Sequence, residues 1–348
     1  MQFQFVSQDL GIDLGTSNVL IYTANQGITA REPSVVAVDK NSGKILQVGA
    51  AARNMLGRTP GNVVAMHPLK NGVVSDHEMT VKMLQHLIRA STNKSSFFTP
   101  KPRVIISVPS NITEVEERSV INAALEAGAR RVYLIEEPLA AALGAGLDIS
   151  GPKGHLVVDI GGGTTDIAML SMNGVANASS LTIAGNHFDD VIMRHIRRNY
   201  QVVIGQPTAE DIKIQIGSVL RRNEELIMEV KGRDAKSGRP RTIQVNSTEI
   251  CGVLSRPAVR IADEVKAVLE DTSAELVGDL TETGIVLTGG GSQLWGMDIL
   301  LEKEVGIPCT IADDPAACVA YGCGKSLAWI TRMTDGPINI ARKRLMRG

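Results

Sequence analysis

Two short stretches constrain this chain more than any others. Residues 156–166 read LVVDIGGGTTD, and residues 10–22 read LGIDLGTSNVLIY. Each runs an aliphatic segment into an aspartate, Asp159 or Asp13, then into a turn of glycines and hydroxyls, then into a second aliphatic segment. That pattern predicts strand, turn, strand. A hairpin folded around glycines exposes backbone N–H groups with no side chain to keep an anion away. Asp159, Thr164 and Asp166 add a hydroxyl donor and carboxylates suited to a hydrated Mg²⁺. One glycine turn alone is equally a plain hairpin. The second copy, with Asp-aliphatic-Gly at 13–15 and again at 159–161, points to two related halves facing a shared cleft.

The 348 residues suffice for two domains or for one duplicated α/β fold with a large core. A net charge of −1 and 3% aromatic residues give no basis for nucleic-acid binding. Cys251, Cys309, Cys318 and Cys323 form no CxxC, and no His lies near the last three. Free thiols in a reducing compartment are therefore expected, not a zinc site. The first residues, MQFQ, lack the basic region of a signal peptide. No uncharged apolar run reaches the ~18 residues of a membrane span. A cytoplasmic protein is expected.

Along the chain, residues 1–8 can pack on the first strand or touch a membrane surface. Residues 34–38 and 45–48 predict a hairpin inside a small insertion, 34–76. Ser75-Asp76-His77-Glu78 predicts a helix start at Ser75, with Met79, Met83, Leu84, Leu87 and Ile88 on one face. The polar loop beyond it carries Phe97-Phe98, which is either a loop anchor or an exposed apolar tip. Thr113-Glu114-Val115-Glu116 is another capping box. Glu136-Glu137-Pro138 stands between a strand and an Ala-rich helix. A carboxylate there is either solvated or directed into the crevice of an open α/β sheet.

Residues 148–154 read as a linker into the second half. Gly185 opens a helix, and Thr208-Ala209-Glu210-Asp211 caps the next, with Glu210 and Lys213 sharing a face. Residues 226–246 suggest a hairpin and 246–269 a long helix. A strand at 285–287 ends in Thr288-Gly289-Gly290-Gly291-Ser292, glycines that let backbone approach a nucleotide. Asp313-Asp314-Pro315 caps the last main helix. The tail beyond it, with Arg332, Arg342, Lys343, Arg344 and Arg347, is either solvated or weakly attracted to anionic lipid.

The usual nucleotide motifs are excluded. Gly324-Lys325-Ser326 resembles the end of a Walker A loop, but its first glycine would fall at Val319, inside a helical pattern. No G-x-G-x-x-G follows a strand, and no kinase set or G-x-S-x-G elbow is present.

Five motifs carry a resemblance: DLGTSN at 13–18, EEPLAAALGAG at 136–146, DIGGGTTD at 159–166, AEDIK at 209–213 and TGGGS at 288–292. Together they resemble the superfamily of actin, heat-shock chaperone and sugar kinase ATPases. EPSVVAV at 32–38, GRTPGNVVA at 57–65 and DIKIQIGS at 211–218 narrow the resemblance to the bacterial actin-like cell-shape proteins, MreB and Mbl. It runs from about residue 9 to about residue 329, with the motifs in family order.

The resemblance implies an α/β, duplicated actin-like (ribonuclease H-like) fold, with two domains around an ATP cleft. The first domain would comprise 1–33, 77–147 and 316–348, with 34–76 as its small subdomain. The second would comprise 148–183 and 247–315, with 184–246 as its subdomain. Thr16, Ser17 and Asn18 would form one phosphate loop, and Gly161, Gly162, Gly163 and Thr164 the other. Asp13, Asp159 and Asp166 would surround Mg²⁺ through waters. The segment Glu210, Asp211, Ile212, Lys213 would hold the ribose and adenine side, and Gly289, Gly290, Gly291 and Ser292 would back the adenosine.

Catalysis of slow ATP hydrolysis would fall to Glu137, Thr164 and Asp159. Glu137 would position the attacking water, Thr164 would orient it, and Glu136 would point elsewhere. Phe97 and Phe98 occupy the place of a membrane-inserting loop, and Val115 lies on the helix that joins paired protofilaments. The implied partners are further copies of the chain, the inner face of the cytoplasmic membrane and the cell-wall elongation machinery. One departure stands out: where the family commonly has Gly-Asp, this chain has Gly185-Asn186. A sugar kinase, a chaperone ATPase and a scaffold that binds nucleotide without turnover are the competing functions. The first lacks an evident insertion for a sugar pocket, and the second has too little chain after the last helix for a peptide-binding domain.

Overall fold

A computed structural model describes residues 9–92 and 100–330 and the backbone of Ile338–Asn339. The expectations for residues 1–8, for Phe97-Phe98 and for the basic tail from Arg332 lie outside the described residues.

The predicted duplication is visible in the sheets. In the first half, Leu10–Leu14 pairs antiparallel with Asn18–Thr23, which pairs antiparallel with Gly27–Pro33. On its other side Leu10–Leu14 runs parallel to Arg103–Val108, and that strand runs parallel to Arg131–Glu136. The second half repeats this order. His155–Ile160 lies between antiparallel Thr165–Ser171 and parallel Ile285–Thr288, with Gly174–Leu181 and Cys309–Ile311 at the edges. Each half also carries a three-stranded sheet inserted after its third strand. One is built from Val36–Asp39, Ile45–Val48 and Val63–Met66, the other from Val202–Val203, Ile227–Asp234 and Pro240–Asn246.

Strand period explains why both main sheets are covered on two faces. Val104, Ile106 and Val108 pack outward against the helices His77–Ser91 and Glu114–Glu126, while Ile105 between them packs inward. Leu156, Val158 and Ile160 face the second half's outer core, while Val157 faces inward. The inward residues of both sheets share one apolar layer with two helices, Glu137–Gly144 and Cys318–Ile330.

Those two helices carry the chain across between the halves. The first follows directly on Arg131–Glu136, and the second returns after Cys309–Ile311. They cross backbone to backbone, because a Cβ on Gly144 would lie 1.7 Å from the Cys318 carbonyl oxygen and one on Gly322 1.8 Å from that of Ala140. Among the described residues no helix is long and apolar enough to cross a membrane.

Three helix starts differ from expectation. Asp76, not Ser75, caps His77–Ser91, accepting from the Met79 N–H at 3.0 Å, while the Ser75 hydroxyl donates to the Pro68 carbonyl at 2.9 Å. The helix expected at Thr208 begins at Gln206, with Pro207 in its first turn, where a missing N–H costs nothing. Asp314 does not cap the last helix directly. It holds a left-handed backbone at φ +41° before a short turn, Pro315–Ala317, and accepts from Arg31 at 2.7 Å. The capping boxes at Thr113 and Asn246 are both made.

Candidate functional site

The two glycine turns face each other across a cleft of about 550 Å³. Their approach is close enough to exclude side chains. A Cβ on Gly162 would stand 2.0 Å from Ser17 Oγ, and one on Gly163 would stand 2.4 Å from Thr16 Oγ1. Neighbouring segments pin both turns. Thr16 Oγ1 accepts from the Gly72 N–H at 2.7 Å, and the Ser34 hydroxyl donates to the Gly15 carbonyl at 2.6 Å. On the far side, the N–H groups of Gly185 and Asn186 donate to the carbonyls of Gly161 and Gly162 at 3.0 and 2.8 Å. Ser17 Oγ donates to Asn186 Oδ1 at 3.1 Å, so the departure from the family pattern is a neutral contact across the cleft.

Behind the turns lie four carboxyl groups, those of Glu137, Asp159 and Asp166 buried and that of Asp13 half-buried. Asp159 and Asp166 are register partners on adjacent strands, so like charges sit directly opposite. Burial pushes Asp13 up to about 7, helped by repulsion from Asp159 and opposed by the Ser107 hydroxyl. Burial likewise pushes Asp159 to about 7, although the Thr288 hydroxyl donates to it at 2.7 Å. Glu137 is driven well above the ordinary carboxylate range by burial and then by Asp166, Asp13 and Asp159. Asp166 is raised by burial, against the lowering effect of the Ser180 and Thr164 hydroxyls. Among the described residues no cation is seen to offset any of the four. Among the described residues no three acidic, His or Cys side chains converge as direct metal ligands. Clustered carboxyl oxygens are the donor type that suits a hydrated divalent cation.

One face of the helix Gln206–Ile216 forms another wall. Glu210, Lys213, Ile214 and Gly217 line the cleft, the spacing of adjacent turns. Lys213 Nζ lies 2.8 Å from Asp189 Oδ1 and donates to the Gly185 carbonyl at 3.0 Å. Glu210 forms an ion pair with Arg53 of the first half's small insertion, bridging the cleft mouth. Opposite, Gly289 holds φ +78° against the Ile160 carbonyl and leads a short turn, Gly290–Gln293.

The sequence matches the MreB/Mbl protein family over residues 7–335. It is 50% identical to the cell shape-determining protein Mbl of Bacillus cereus over 329 residues, covering 94% of this chain and 98% of that protein. It is 49% identical to the cell shape-determining protein MreB of Escherichia coli K12, over 93% of this chain and 94% of that one. The chain belongs to the MreB/Mbl family. MreB5 of Spiroplasma citri bound to AMPPNP, at 38% identity, superimposes with a TM-score of 0.88 over 94% of this chain and 98% of its own. The same protein bound to ADP gives 0.89. The fold is thus the α/β, duplicated actin-like fold that the motifs led us to expect.

Of the residues that the family resemblance assigns to the nucleotide site, Asp13, Thr16, Ser17, Asn18, Glu137, Asp159, Gly161, Gly162, Gly163, Thr164, Glu210, Lys213, Gly289, Gly290 and Gly291 line one cleft. Four do not. Asp211 is exposed and Ile212 lies in the core, because the helix turns them away from the face that carries Glu210 and Lys213. Ser292 is buried, its hydroxyl donating to the Gly289 carbonyl at 2.7 Å. Asp166 sits one layer behind the lining, among the carboxyl groups beside Glu137. Glu136 does not line the cleft. Sequence reasoning missed Asp189, Arg53, Arg222 and Trp295, whose partners are distant in sequence or set by helix phase.

Proposed function

We propose that this chain is an actin-like ATPase that assembles with itself into filaments on the inner membrane surface and takes part in determining cell shape. One observation carries the reading: two glycine turns from duplicated halves face each other over four clustered carboxyl groups that no cation among the described residues offsets. Relatives named for cell shape, and a similar structure that holds AMPPNP and ADP, support it.

Backbone N–H groups of residues 15–18 and 161–164 would cradle the phosphates. Asp13 and Asp159, with Asp166 behind, would hold Mg²⁺ through waters. The chemistry such an ion would supply is neutralisation of charge on the phosphates. Glu137, at the start of its helix and facing the cleft, would orient the attacking water and take up its proton, with Thr164 as a further hydroxyl partner. Closure of the halves about the crossed helices Glu137–Gly144 and Cys318–Ile330 would report the nucleotide state to neighbouring subunits. The four-part division at 34, 77, 148, 184, 247 and 316 is our reading of the lobes that move.

Space between the turns is the sensitive quantity. A methyl on Gly162 meets Ser17 Oγ and also its Cβ, at 2.5 Å, which no rotamer change relieves. Overpacking of this kind costs about 1–3 kcal/mol. Gly162→Ala is expected to weaken ATP binding by about tenfold in calorimetry. Unchanged affinity would mean that the turns do not close on the ligand.

Val115 is 77% exposed on an acidic helix surface, and we assign it to contact between paired protofilaments. Phe97 and Phe98 are assigned to lipid, and the elongation machinery to the membrane-bound polymer. Burying two Phe yields at most roughly 3–6 kcal/mol, marginal for one subunit. A filament multiplies the contact. Electron microscopy and vesicle pelleting with ATP test this together. Polymer should pellet with anionic vesicles, and Phe97→Ala/Phe98→Ala should abolish pelleting without abolishing filaments. Phosphate release that needs an added sugar, with no polymer formed, would favour the sugar-kinase-like alternative.

A further inference from the structure

Two cations line the cleft, and they are placed differently. Lys213 is neutralised by Asp189. Its Nζ lies near the glycine turns, 3.4 Å from where a Cβ on Gly185 would stand, beside the Gly161 carbonyl. Arg222 has no carboxylate partner among the described residues. Its Nη2 donates to the carbonyl of Gly217, one helix turn beyond Lys213, at 3.1 Å. Arg222 therefore stands at the end of the cleft away from the phosphate-binding turns.

The guanidinium sits over the Trp295 ring. Its Cζ lies 4.7 Å from the centroid of the Trp295 ring. The two backbones are stitched together, the Val219 N–H donating to the Trp295 carbonyl at 3.0 Å. Nε is buried without a partner, and Nη2 is committed to Gly217. The hydrogen-bonding edge is thus partly spent, which argues against a phosphate, because phosphate recognition by Arg uses that edge in pairs. Trp295 packs against the guanidinium. Arg222 lines the cleft together with Ile214 and Leu294. A delocalised, weakly hydrated cation beside apolar walls suits an aromatic ring.

Resting on the nucleotide reading above, we propose that Arg222, braced by Trp295, is the specificity-determining residue for the base, stacking on a purine and disfavouring a pyrimidine. The larger π face of a purine covers more of the guanidinium than a pyrimidine does. Neither position was singled out by the sequence motifs.

Calorimetry with Mg-ATP, Mg-CTP and Mg-tripolyphosphate on wild type, Arg222→Ala, Arg222→Lys and Trp295→Leu tests the assignment. Wild type should prefer ATP over CTP by about tenfold or more. Arg222→Ala should weaken ATP by about tenfold while leaving tripolyphosphate unchanged, so the ATP:CTP ratio collapses. Arg222→Lys, which keeps the charge and loses the plane, should not restore that ratio. In a Trp329→Phe background, Trp295 fluorescence should respond to ATP and not to tripolyphosphate. Equal weakening of all three probes would make the pair a structural brace and overturn the proposal, as would an unchanged ratio. Wild type that binds neither ATP nor tripolyphosphate would instead overturn the nucleotide reading and this assignment with it.

Discussion

Glu137→Gln is expected to release phosphate about 10²–10⁴-fold more slowly than wild type while still binding ATP. Glu137 opens the helix Glu137–Gly144, with Pro138 in the first turn, and its carboxyl faces the cleft from a buried position. Burial and three neighbouring carboxyl groups raise its pKa, which suits a group that accepts a proton as water attacks. Glutamine keeps the shape and removes the proton acceptor. Because it also removes a buried ionisable group whose charged form the cluster disfavours, the variant should fold at least as stably as wild type. Single-turnover phosphate release, with ATP affinity measured separately, isolates the chemical step. Equal release rates would leave Glu137 without a catalytic role.

The second large effect runs in opposite directions for stability and for binding. Asp159→Asn should raise the melting temperature of the ligand-free protein and weaken Mg-ATP binding by about 10–100-fold. Asp159 is pushed to about 7 by burial, with Asp166 directly opposite. Holding it ionised in the free protein at pH 8 costs on the order of a few kcal/mol relative to the unfolded chain. Asparagine retains an oxygen to accept from the Thr288 hydroxyl. The sign with pH follows from the raised value. The folded state binds its proton more tightly than the unfolded chain, so this destabilisation is absent below about pH 4 and grows until about pH 7. The melting gain of Asp159→Asn should therefore be larger at pH 8 than at pH 5. An equal gain at both would mean that the cluster's charge is not what costs stability.

The duplicated hairpins were legible because their chemistry is local: aspartate, glycines, hydroxyls and aliphatics in one run, twice. A run such as Val104, Ile105, Ile106 is apolar throughout, so which residue packs outward and which inward is seen only in the structure. Helix phase was harder. Reading the start of Gln206–Ile216 two residues late did not disturb the pairing of Glu210 with Lys213 on one face, since that depends on spacing alone. Treating residues 210–213 as one binding segment did mislead, because a helix sends Asp211 to solvent and Ile212 to the core. The cap expected at Ser75 falls to neighbouring Asp76, and the helix expected at Thr208 starts earlier, behind Gly205, with Pro207 in its first turn and no side-chain cap. The Arg53–Glu210 and Lys213–Asp189 pairs were out of reach, since neither partner carries a local signal for the other. Arg222 over Trp295 was hidden for the same reason.

A crystal structure of the protein with Mg-AMPPNP tests the central claim most directly. The account predicts one triphosphate contacted by the backbone N–H groups of both turns, residues 15–18 and 161–164, with a hydrated ion between it and Asp13 and Asp159. A nucleotide bound by one turn alone, or seated outside the cleft between the two halves, would contradict it.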